Sequence, residues 1–292
     1  MLFDSHTHVN FQPFFKTYKE VIGRAQAANI MINNVGTQWE SSQRSVAIAE
    51  EYKSGVVATV GLHPLHLFHD VTEEQALGEQ VQKIRARAER FDYEQYKQLA
   101  LSSKKVVAIG ECGLDYYHFQ RAQVQEFREE LTALQKSTLR QHCDLALELD
   151  KAVVIHCRDA VTHTSRTIQA FLDVLEIVRS YNGKLRGVIH CYTGLPEYVS
   201  QFLELGFYIG YTGIATFPDA TEVQASVRAT PLNRLLLETD APYLTPMPYR
   251  GKPNEPAYVQ YVANAIAALQ DVSVEQVAKQ TTANAFELFR LS

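Results

Sequence analysis

The sequence of 292 residues predicts an α/β fold, most simply a TIM-like (β/α)8 barrel that forms a single domain. Eight short apolar runs alternate with stretches of helical periodicity, which is the pattern of βα units around a parallel sheet. The runs are continuously apolar, as expected of strands that are covered on both faces. An open doubly wound sheet has the same alternation and is the alternative at this point.

The predicted strands are short and distributed along the whole chain. They are Leu2–Asp4, Met31–Val35, Val56–Gly61, Val106–Gly110, Ala152–Ile155, Gly187–Ile189, Phe207–Gly210 and Leu235–Leu237. Apolar residues at three- and four-residue spacing predict helices around Val124–Leu134 and Ile168–Leu175. Ser273, three residues before Gln276, predicts a capping box at the start of a C-terminal helix that reaches Phe289.

The connection between the third and fourth predicted strands is enlarged. It places 44 residues between Gly61 and Val106, more than a βα crossover needs. Apolar residues at four- and three-residue spacing from Leu77 to Phe91 predict an additional amphipathic helix there. We expect this insertion, about residues 65–105, to pack on the barrel exterior rather than grip a substrate, within one domain of residues 1–292.

Composition and charge exclude several classes of protein. An apolar fraction of 46%, with only 14 Gly and 10 Pro, excludes disordered and collagen-like chains. The sequence has no apolar segment long enough to predict a membrane span or a secretory leader. The net charge of −5 argues against a protein that coats nucleic acid, but not against a nuclease with a local basic spot. Four cysteines without a CxxC pair predict reduced thiols and a cytoplasmic location.

Side chains of the types that bind metals follow five of the predicted strands, at their carboxyl ends. In a barrel these ends converge on one mouth, where catalytic residues collect. His6 and His8, two residues apart in an extended segment, point to the same side. A buried carboxylate needs a partner, which a bound cation supplies. The set consists of His6, His8, Glu111, His156, His190 and Asp240.

The number of these donors indicates two ions. Four neutral histidines and two carboxylates exceed the ligands of one tetrahedral zinc, and suit two divalent ions about 4 Å apart that share a carboxylate. Glu111, from the middle of the barrel order, is the expected bridge. We therefore expect two divalent metal ions per subunit, with Zn, Mg and Mn left open because the ligands include no thiolate.

Six longer motifs, which include five of these six residues, occur in order over nearly the whole chain. They are Phe3–His8, Gly61–Pro64, Ile109–Tyr117, Val154–Ala160, Leu235–Tyr243 and Arg250–Pro256. Together they resemble the TatD family of metal-dependent deoxyribonucleases, within the amidohydrolase-like barrels. Two features depart from the family pattern: Tyr192-Thr193 replaces Phe-Ser, and the enlarged connection leaves the substrate range open.

The resemblance implies how the ligands divide. One ion would be held by His6, His8, Glu111 and Asp240, and the second by Glu111, His156 and His190. Asp240 would accept a proton from the attacking water, so Asp240 and Glu111 are expected to be catalytic. His63 is the third expected catalytic residue, through a contact with phosphate or the leaving group, although a core hydrogen bond is the alternative.

Other residues are expected to support the centre or the substrate. Glu238 and Asp115 would orient ligating histidines from behind. Arg158, Arg250 and Lys252 are the cations expected to meet phosphates, with an ion pair at a helix start as the alternative for Arg158.

The predicted function is a divalent-metal-dependent hydrolase, most simply a deoxyribonuclease that cleaves phosphodiester bonds exonucleolytically. DNA, single-stranded or at strand ends, is the expected partner, with no membrane and no obligate protein partner. A binuclear hydrolase of a small amide, ester or phosphoester is the alternative, because related barrels share the metal cage and differ in their loops. A non-catalytic metal-bound scaffold is a third interpretation.

Overall fold

The computed structural model describes residues 1–68, 72–77, 80–120, 127–160 and 168–291. Within these residues, eight parallel strands form the predicted barrel, which is confirmed. They are β1 Leu2–Thr7, β2 Ile30–Val35, β3 Val56–Val60, β6 Val106–Asp115, β7 Ala152–Arg158, β8 Gly187–His190, β9 Tyr208–Tyr211 and β10 Leu235–Leu237. Each strand pairs with the next in this sequential order, whereas a doubly wound sheet would reverse its order at a switch point.

The first and last strands meet just beyond their paired segments. The backbone N–H of Asp240 donates to the carbonyl of His6 at 2.9 Å, and that of His8 donates to the carbonyl of Ala241 at 2.8 Å. These bonds bring the carboxyl ends of β1 and β10 together, so the wall is nearly closed where the polar residues lie.

Helices cover the outside of the barrel. In the described residues they are α1 Tyr18–Ala27, α2 Trp39–Glu50, α3 Tyr93–Leu101, α4 Arg128–Glu148, α5 Gln169–Arg179, α6 Pro196–Glu204, α7 Thr221–Ala229, α8 Val259–Gln270 and α9 Val274–Phe289. None of these described helices has the length and apolarity that crossing a bilayer requires.

The predicted helices are largely confirmed. α5 contains the repeat that was predicted around Ile168–Leu175, and α4 begins at Arg128, while Val124 lies outside the described residues. The capping box of α9 is present in both directions. The Ser273 hydroxyl accepts from the N–H of Gln276 at 3.1 Å, and the Gln276 side chain accepts from the N–H of Ser273 at 2.9 Å.

The amino end of the barrel is filled by apolar side chains. Because strand residues two apart share a face, Val154 and Val188 point inward beneath His156 and His190. The end of α9 packs across the amino ends of the strands and adds its own side chains to this layer. The buried cluster includes Phe3, Val57, Val107, Val154, Val188, Tyr208, Leu236, Leu288 and Phe289.

The predicted amphipathic helix over residues 77–91 is wrong. β4 (Thr72–Leu77) and β5 (Gln80–Arg85) form an antiparallel hairpin in that part of the insertion. The apolar residues that mimic a helical repeat do not share one environment, because Val81 is 60% exposed whereas Phe91 is buried. The four–three spacing therefore does not correspond to one packed face.

A local signal for the hairpin was present in the sequence. The sequence has Gly78-Glu79 at this point, and a glycine followed by one residue is a pattern that favours a hairpin. The helix of the insertion is α3, which starts after residue 92. The carboxylate of Asp92 accepts from the backbone N–H of Gln95 at 3.0 Å, as an N-cap does.

Candidate metal centre

The structure brings the six predicted metal ligands together at the carboxyl mouth of the barrel. His6 and His8 lie at the end of β1, and Asp240 follows β10 in a left-handed conformation with φ of 56°. Asp tolerates this conformation better than most residues do. The left-handed backbone at Asp240 turns the chain back toward β1. The set is His6, His8, Glu111, His156, His190 and Asp240.

One group of donor atoms surrounds Oε2 of Glu111. Nε2 of His6 lies 3.3 Å from this oxygen and 3.2 Å from Nε2 of His8. Oδ1 of Asp240 lies 3.2 Å from Nε2 of His8 and 3.9 Å from Nε2 of His6. Two nitrogens and two carboxylate oxygens thus face one small volume.

A second group surrounds the other oxygen of the same carboxylate. Oε1 of Glu111 lies 3.2 Å from Nδ1 of His156 and 3.8 Å from Nε2 of His190. Nε2 of His63 lies 3.6 Å from it. Each oxygen of Glu111 therefore faces its own set of histidines, which is the geometry of a bridging carboxylate.

These separations fit donors that share a cation. Ligand atoms at 2.0–2.2 Å from a tetrahedral ion lie about 3.4 Å from one another. Hydrogen-bonded ion pairs are shorter, about 2.7–2.9 Å. The close approach of the two ring nitrogens of His6 and His8 is explained by a common ion better than by their own hydrogen bonding. The residues present therefore fit divalent metal ions.

Burial and mutual charge set the protonation of the centre. Burial lowers the pKa of His6 to about 4 and that of His63 to about 3, so both rings are neutral at neutral pH. Burial alone would raise the pKa of Glu111, but His63 and His6 hold it well below its usual value. The pKa of Asp240 is likewise lowered, chiefly by His8 and His190 working against burial. Both carboxylates are therefore ionised at neutral pH.

Glu238 orients His190 from the side away from the centre. Its Oε2 lies 2.9 Å from Nδ1 of His190 and accepts from the N–H of Cys191 at 2.8 Å. Burial lowers the pKa of His190, but the Glu238 carboxylate offsets this and raises it to about 9. Gly210 makes room for this carboxylate, because a Cβ there would lie 2.1 Å from Oε1 of Glu238.

Asp115 supports His156 in the same way. Its Oδ2 lies 3.2 Å from Nε2 of His156, and its Oδ1 lies 2.8 Å from Nδ1 of His118. His118 matches no motif, so sequence reasoning missed it. Its position three residues after Asp115 is the one available signal, and it acquires meaning only from the fold.

His63 differs from the other histidines of the centre. Its Nδ1 accepts a hydrogen bond from the backbone N–H of Leu65 at 3.0 Å. A neutral imidazole that accepts at one nitrogen carries its proton on the other, so Nε2 of His63 is a donor directed toward Glu111.

The loop of His63 is held by a histidine of α4. The backbone N–H of Leu62 donates to Nε2 of His142 at 3.0 Å, and Nδ1 of His142 lies 2.7 Å from the carbonyl of Thr138. Both ring nitrogens are satisfied by backbone groups. His142 is therefore a structural residue that fixes the chain next to His63.

The remaining histidines without a motif are His66, His69 and His163. His66 is buried in the loop after β3. His69 and His163 lie outside the described residues.

A cavity of about 920 Å³ opens over the centre. Arg158 lines it, with its guanidinium 3.8 Å from the ring centroid of Tyr117. Arg250 and Lys252 are not among its described lining residues. Arg250 lies 4.1 Å over the ring of Phe217, and Lys252 lies 5.5 Å from the ring of Tyr249. The structure thus separates Arg158 from the other two predicted phosphate contacts.

The whole chain resembles known proteins. The family model for TatD related DNase matches residues 3–290. A metal-dependent hydrolase of Bacillus subtilis, YabD, is 36% identical over 294 residues, covering 100% of both chains. The 3′-5′ ssDNA/RNA exonuclease TatD of Citrobacter rodentium is 34% identical over 300 residues, covering 100% of this chain and 98% of its own.

A solved structure agrees with these sequence matches. The crystal structure of YJJV, a TatD homologue from Escherichia coli K12, superposes with a TM-score of 0.77 at 27% identity, covering 100% of this chain and 98% of that one. The chain therefore belongs to the TatD related DNase family of metal-dependent hydrolases.

Proposed function

We propose that the protein is a two-metal nuclease that removes nucleotides from the ends of DNA strands. The observation that carries this proposal is the division of the Glu111 carboxylate, whose two oxygens face separate sets of histidines beneath a cavity. The name of the Citrobacter relative, an exonuclease of single-stranded DNA and RNA, supports the same substrate class.

The proposed division of the ligands is the one that the family resemblance implies. In the structure His190 lies between the two groups, with its Nε2 3.8 Å from Oε1 of Glu111 and 3.7 Å from Oδ1 of Asp240. His6, His8, Asp240 and Oε2 of Glu111 would hold one divalent ion, and His156, His190 and Oε1 of Glu111 the second. Mixed nitrogen and oxygen ligands suit Zn and Mn, and also Mg where waters complete its shell. Bound divalent ions lower the pKa of water and neutralise charge that develops on phosphate.

Asp240 is the proposed general base. It is ionised at neutral pH, since the surrounding histidines hold its pKa down. It also borders the cavity, so a water between the centre and a phosphate is within reach of its carboxylate. Asp240 takes the proton of that water as the oxygen attacks phosphorus in line.

His63 and Arg158 are assigned to the substrate. The Nε2–H of His63 is directed into the centre and donates to the phosphate or to the departing oxygen. Arg158, which lines the cavity beside Tyr117, meets a non-bridging phosphate oxygen with its guanidinium. Arg250 and Lys252 are not assigned to this contact, because neither is among the described residues that line the cavity.

We further propose that the protein works in the cytoplasm as a single unit of residues 1–292. Cys112 and Cys143 are buried free thiols, which suits a reducing compartment. The described strands belong to one barrel and its hairpin, which supports one domain.

One assay tests the function. Protein loaded with Zn, Mn or Mg is incubated with end-labelled single- and double-stranded DNA, beside bis(4-nitrophenyl) phosphate and simple amides. Stepwise shortening of DNA is the expected result. Turnover of the small substrates alone, or no turnover at full metal occupancy, would contradict the proposal.

A further inference from the structure

We propose that the β4–β5 hairpin is a substrate arm, which binds the phosphates of a single nucleic-acid strand as it leads to the metal centre. This inference rests on the proposed function and names the part of the chain that holds the strand. It reverses the expectation that the insertion only packs on the exterior.

The base of the arm is fixed beside the mouth. After β5 the chain runs back along the loop that follows His63, where the N–H of Ala88 donates to the carbonyl of Phe68 at 2.9 Å. The N–H of Glu89 donates to the carbonyl of His66 at 2.9 Å. Ala86 is buried in the main core. The arm therefore stands at a defined place beside the centre.

One face of the arm presents basic side chains to the cavity. Lys83 and Arg85 are two residues apart on β5, so they share a face and lie about 7 Å apart along the strand. Both line the same cavity as His8 and Glu111. Their separation is close to that of successive phosphates in an extended strand.

Glu74 is a weak competitor for Lys83. Glu74 lies opposite Lys83 in the hairpin register, and its carboxylate is 2.9 Å from Nζ of Lys83. The side chains are 69% exposed for Lys83 and 59% for Glu74, and ion pairs this exposed contribute little. A phosphate can therefore replace Glu74 as the partner of Lys83.

Another part of the cavity lining suits unpaired bases. Phe11 stacks on the ligand His8 with ring centroids 4.3 Å apart, and Phe15, 47% exposed, lies further out along the cavity. The guanidinium of Arg44 lies 4.2 Å over the ring of Phe15. Aromatic rings interleaved with cations are typical of single-strand binding, because a duplex keeps its bases stacked inside.

The test uses the full chain loaded with Mn²⁺ and a short fluorescent phosphorothioate oligonucleotide, which resists cleavage and keeps its charge. Binding is followed by fluorescence anisotropy over a range of salt concentrations. The arm variant is Lys83→Gln/Arg85→Gln. The matched control is Lys53→Gln/Lys184→Gln, which removes the same charge from exposed positions before β3 and β8, at the amino end of the barrel.

We expect the arm variant to bind about tenfold more weakly and the control to bind like the wild type. The slope of log Kd against log salt should fall by about 1.4 in the arm variant, because two phosphate contacts are lost. Its loss of activity should be much larger on an oligonucleotide than on bis(4-nitrophenyl) phosphate. Phe15→Ala is a second variant, which changes no charge. It should bind the oligonucleotide about five- to hundredfold more weakly than the wild type does, and it should bind an abasic strand as tightly as the wild type does.

The outcomes separate the two proposals. Equal affinity and equal salt slope in the wild type, the arm variant and the control would overturn the substrate arm, whether or not DNA is cleaved. Binding that depends on the arm without any shortening of cleavable DNA would support the arm and contradict the nuclease function.

Discussion

At the amino end of the barrel the inward side chains of the strands are apolar, as at Val154 and Val188, and Phe289 of α9 packs in the same layer. Two residues further along the same strands, at the mouth, the inward positions hold His156 and His190. Along each strand, side chains alternate between inward and outward positions in the same way at both ends of the barrel. The chemistry changes only in the last inward positions, where buried donors face one another and need a cation. Stability therefore comes from the amino end, which is called the closed end here because α9 packs across it. The mouth holds charges that serve the reaction.

A substitution at the mouth should remove activity while leaving most of the stability in place. Asp240→Asn keeps the size of the side chain but cannot take a proton, so kcat on DNA should fall by about 10²–10⁴-fold. The free energy of unfolding without metal should fall by only about 1 kcal/mol, because the side-chain volume is kept and only the charged contacts of the carboxylate with His8 and His190 are weakened. Steady-state kinetics and urea unfolding measure the two effects. A near-normal kcat with metal bound would contradict the role of Asp240.

The closed end should respond in the opposite way. Phe289→Ala removes a buried ring whose centroid lies 5.9 Å from that of Phe3, and it should lower the free energy of unfolding by about 3–5 kcal/mol. The activity of the protein that stays folded should be unchanged. Phe127→Ala is the matched control, because that ring is 51% exposed, and it should cost less than about 0.5 kcal/mol. Equal losses in the two variants would show that the end of α9 does not close the barrel.

Metal should stabilise the mouth and leave the closed end as it is. An ion at a hundred times its Kd adds about 2.7 kcal/mol to the free energy of unfolding, provided the unfolded chain does not bind it. Thermal melts with Mn²⁺ and with a chelator should show this gain in the wild type and in Phe289→Ala. Glu111→Gln should largely lose it. A gain of the same size in Glu111→Gln would contradict the position of the ions.

A structural histidine near the mouth sharpens the contrast with the ligands. Burial lowers the pKa of His142 to about 4, against about 6.5 in an unfolded chain. The unfolded state therefore binds a proton first. The stability that comes from keeping His142 neutral is complete above pH 6.5 and falls as the pH falls toward 4, with about 2 kcal/mol lost at pH 5. His142→Gln cannot titrate and should flatten the pH dependence of urea unfolding in this window. An unchanged slope would show that His142 does not carry it.

The smallest effects concern the cations around the cavity. Arg158→Gln should raise KM for DNA about tenfold, because a charge-assisted contact to phosphate is lost. Arg250→Gln and Lys252→Gln should each change KM by less than about twofold, as expected for side chains that contact other surfaces. Initial rates over a range of DNA concentrations test all three. A larger effect at Arg250 than at Arg158 would reverse this assignment.

Much of the barrel was predictable because it depends on local patterns. Continuous apolar runs marked the strands, and their carboxyl ends marked the mouth, since parallel strands in a barrel end on one rim. The convergence of residues as distant as His6 and Asp240 follows from that rule alone. The assignment of one Glu111 oxygen to each group also agrees with its place in the middle of the strand order.

The insertion and the supporting residues were not predictable in the same way. The periodicity between Leu77 and Phe91 satisfied a helical template, although the chain forms a hairpin there. The hydrogen bonds of His142 and the contact of His118 with Asp115 join segments that only the fold brings together. Spacing along the sequence carries no information about such contacts, so nothing in the sequence singles out His118 or His142.

Glu111 is the central residue of the proposed centre, because it would bridge the two ions at the mouth. The most direct measurement is the metal content per chain after Zn or Mn loading and dialysis, for the wild type and Glu111→Gln, by inductively coupled plasma mass spectrometry. We predict about two ions per chain in the wild type and fewer than one in the variant, since each group loses a shared ligand. One ion per chain in both proteins would contradict the bridge.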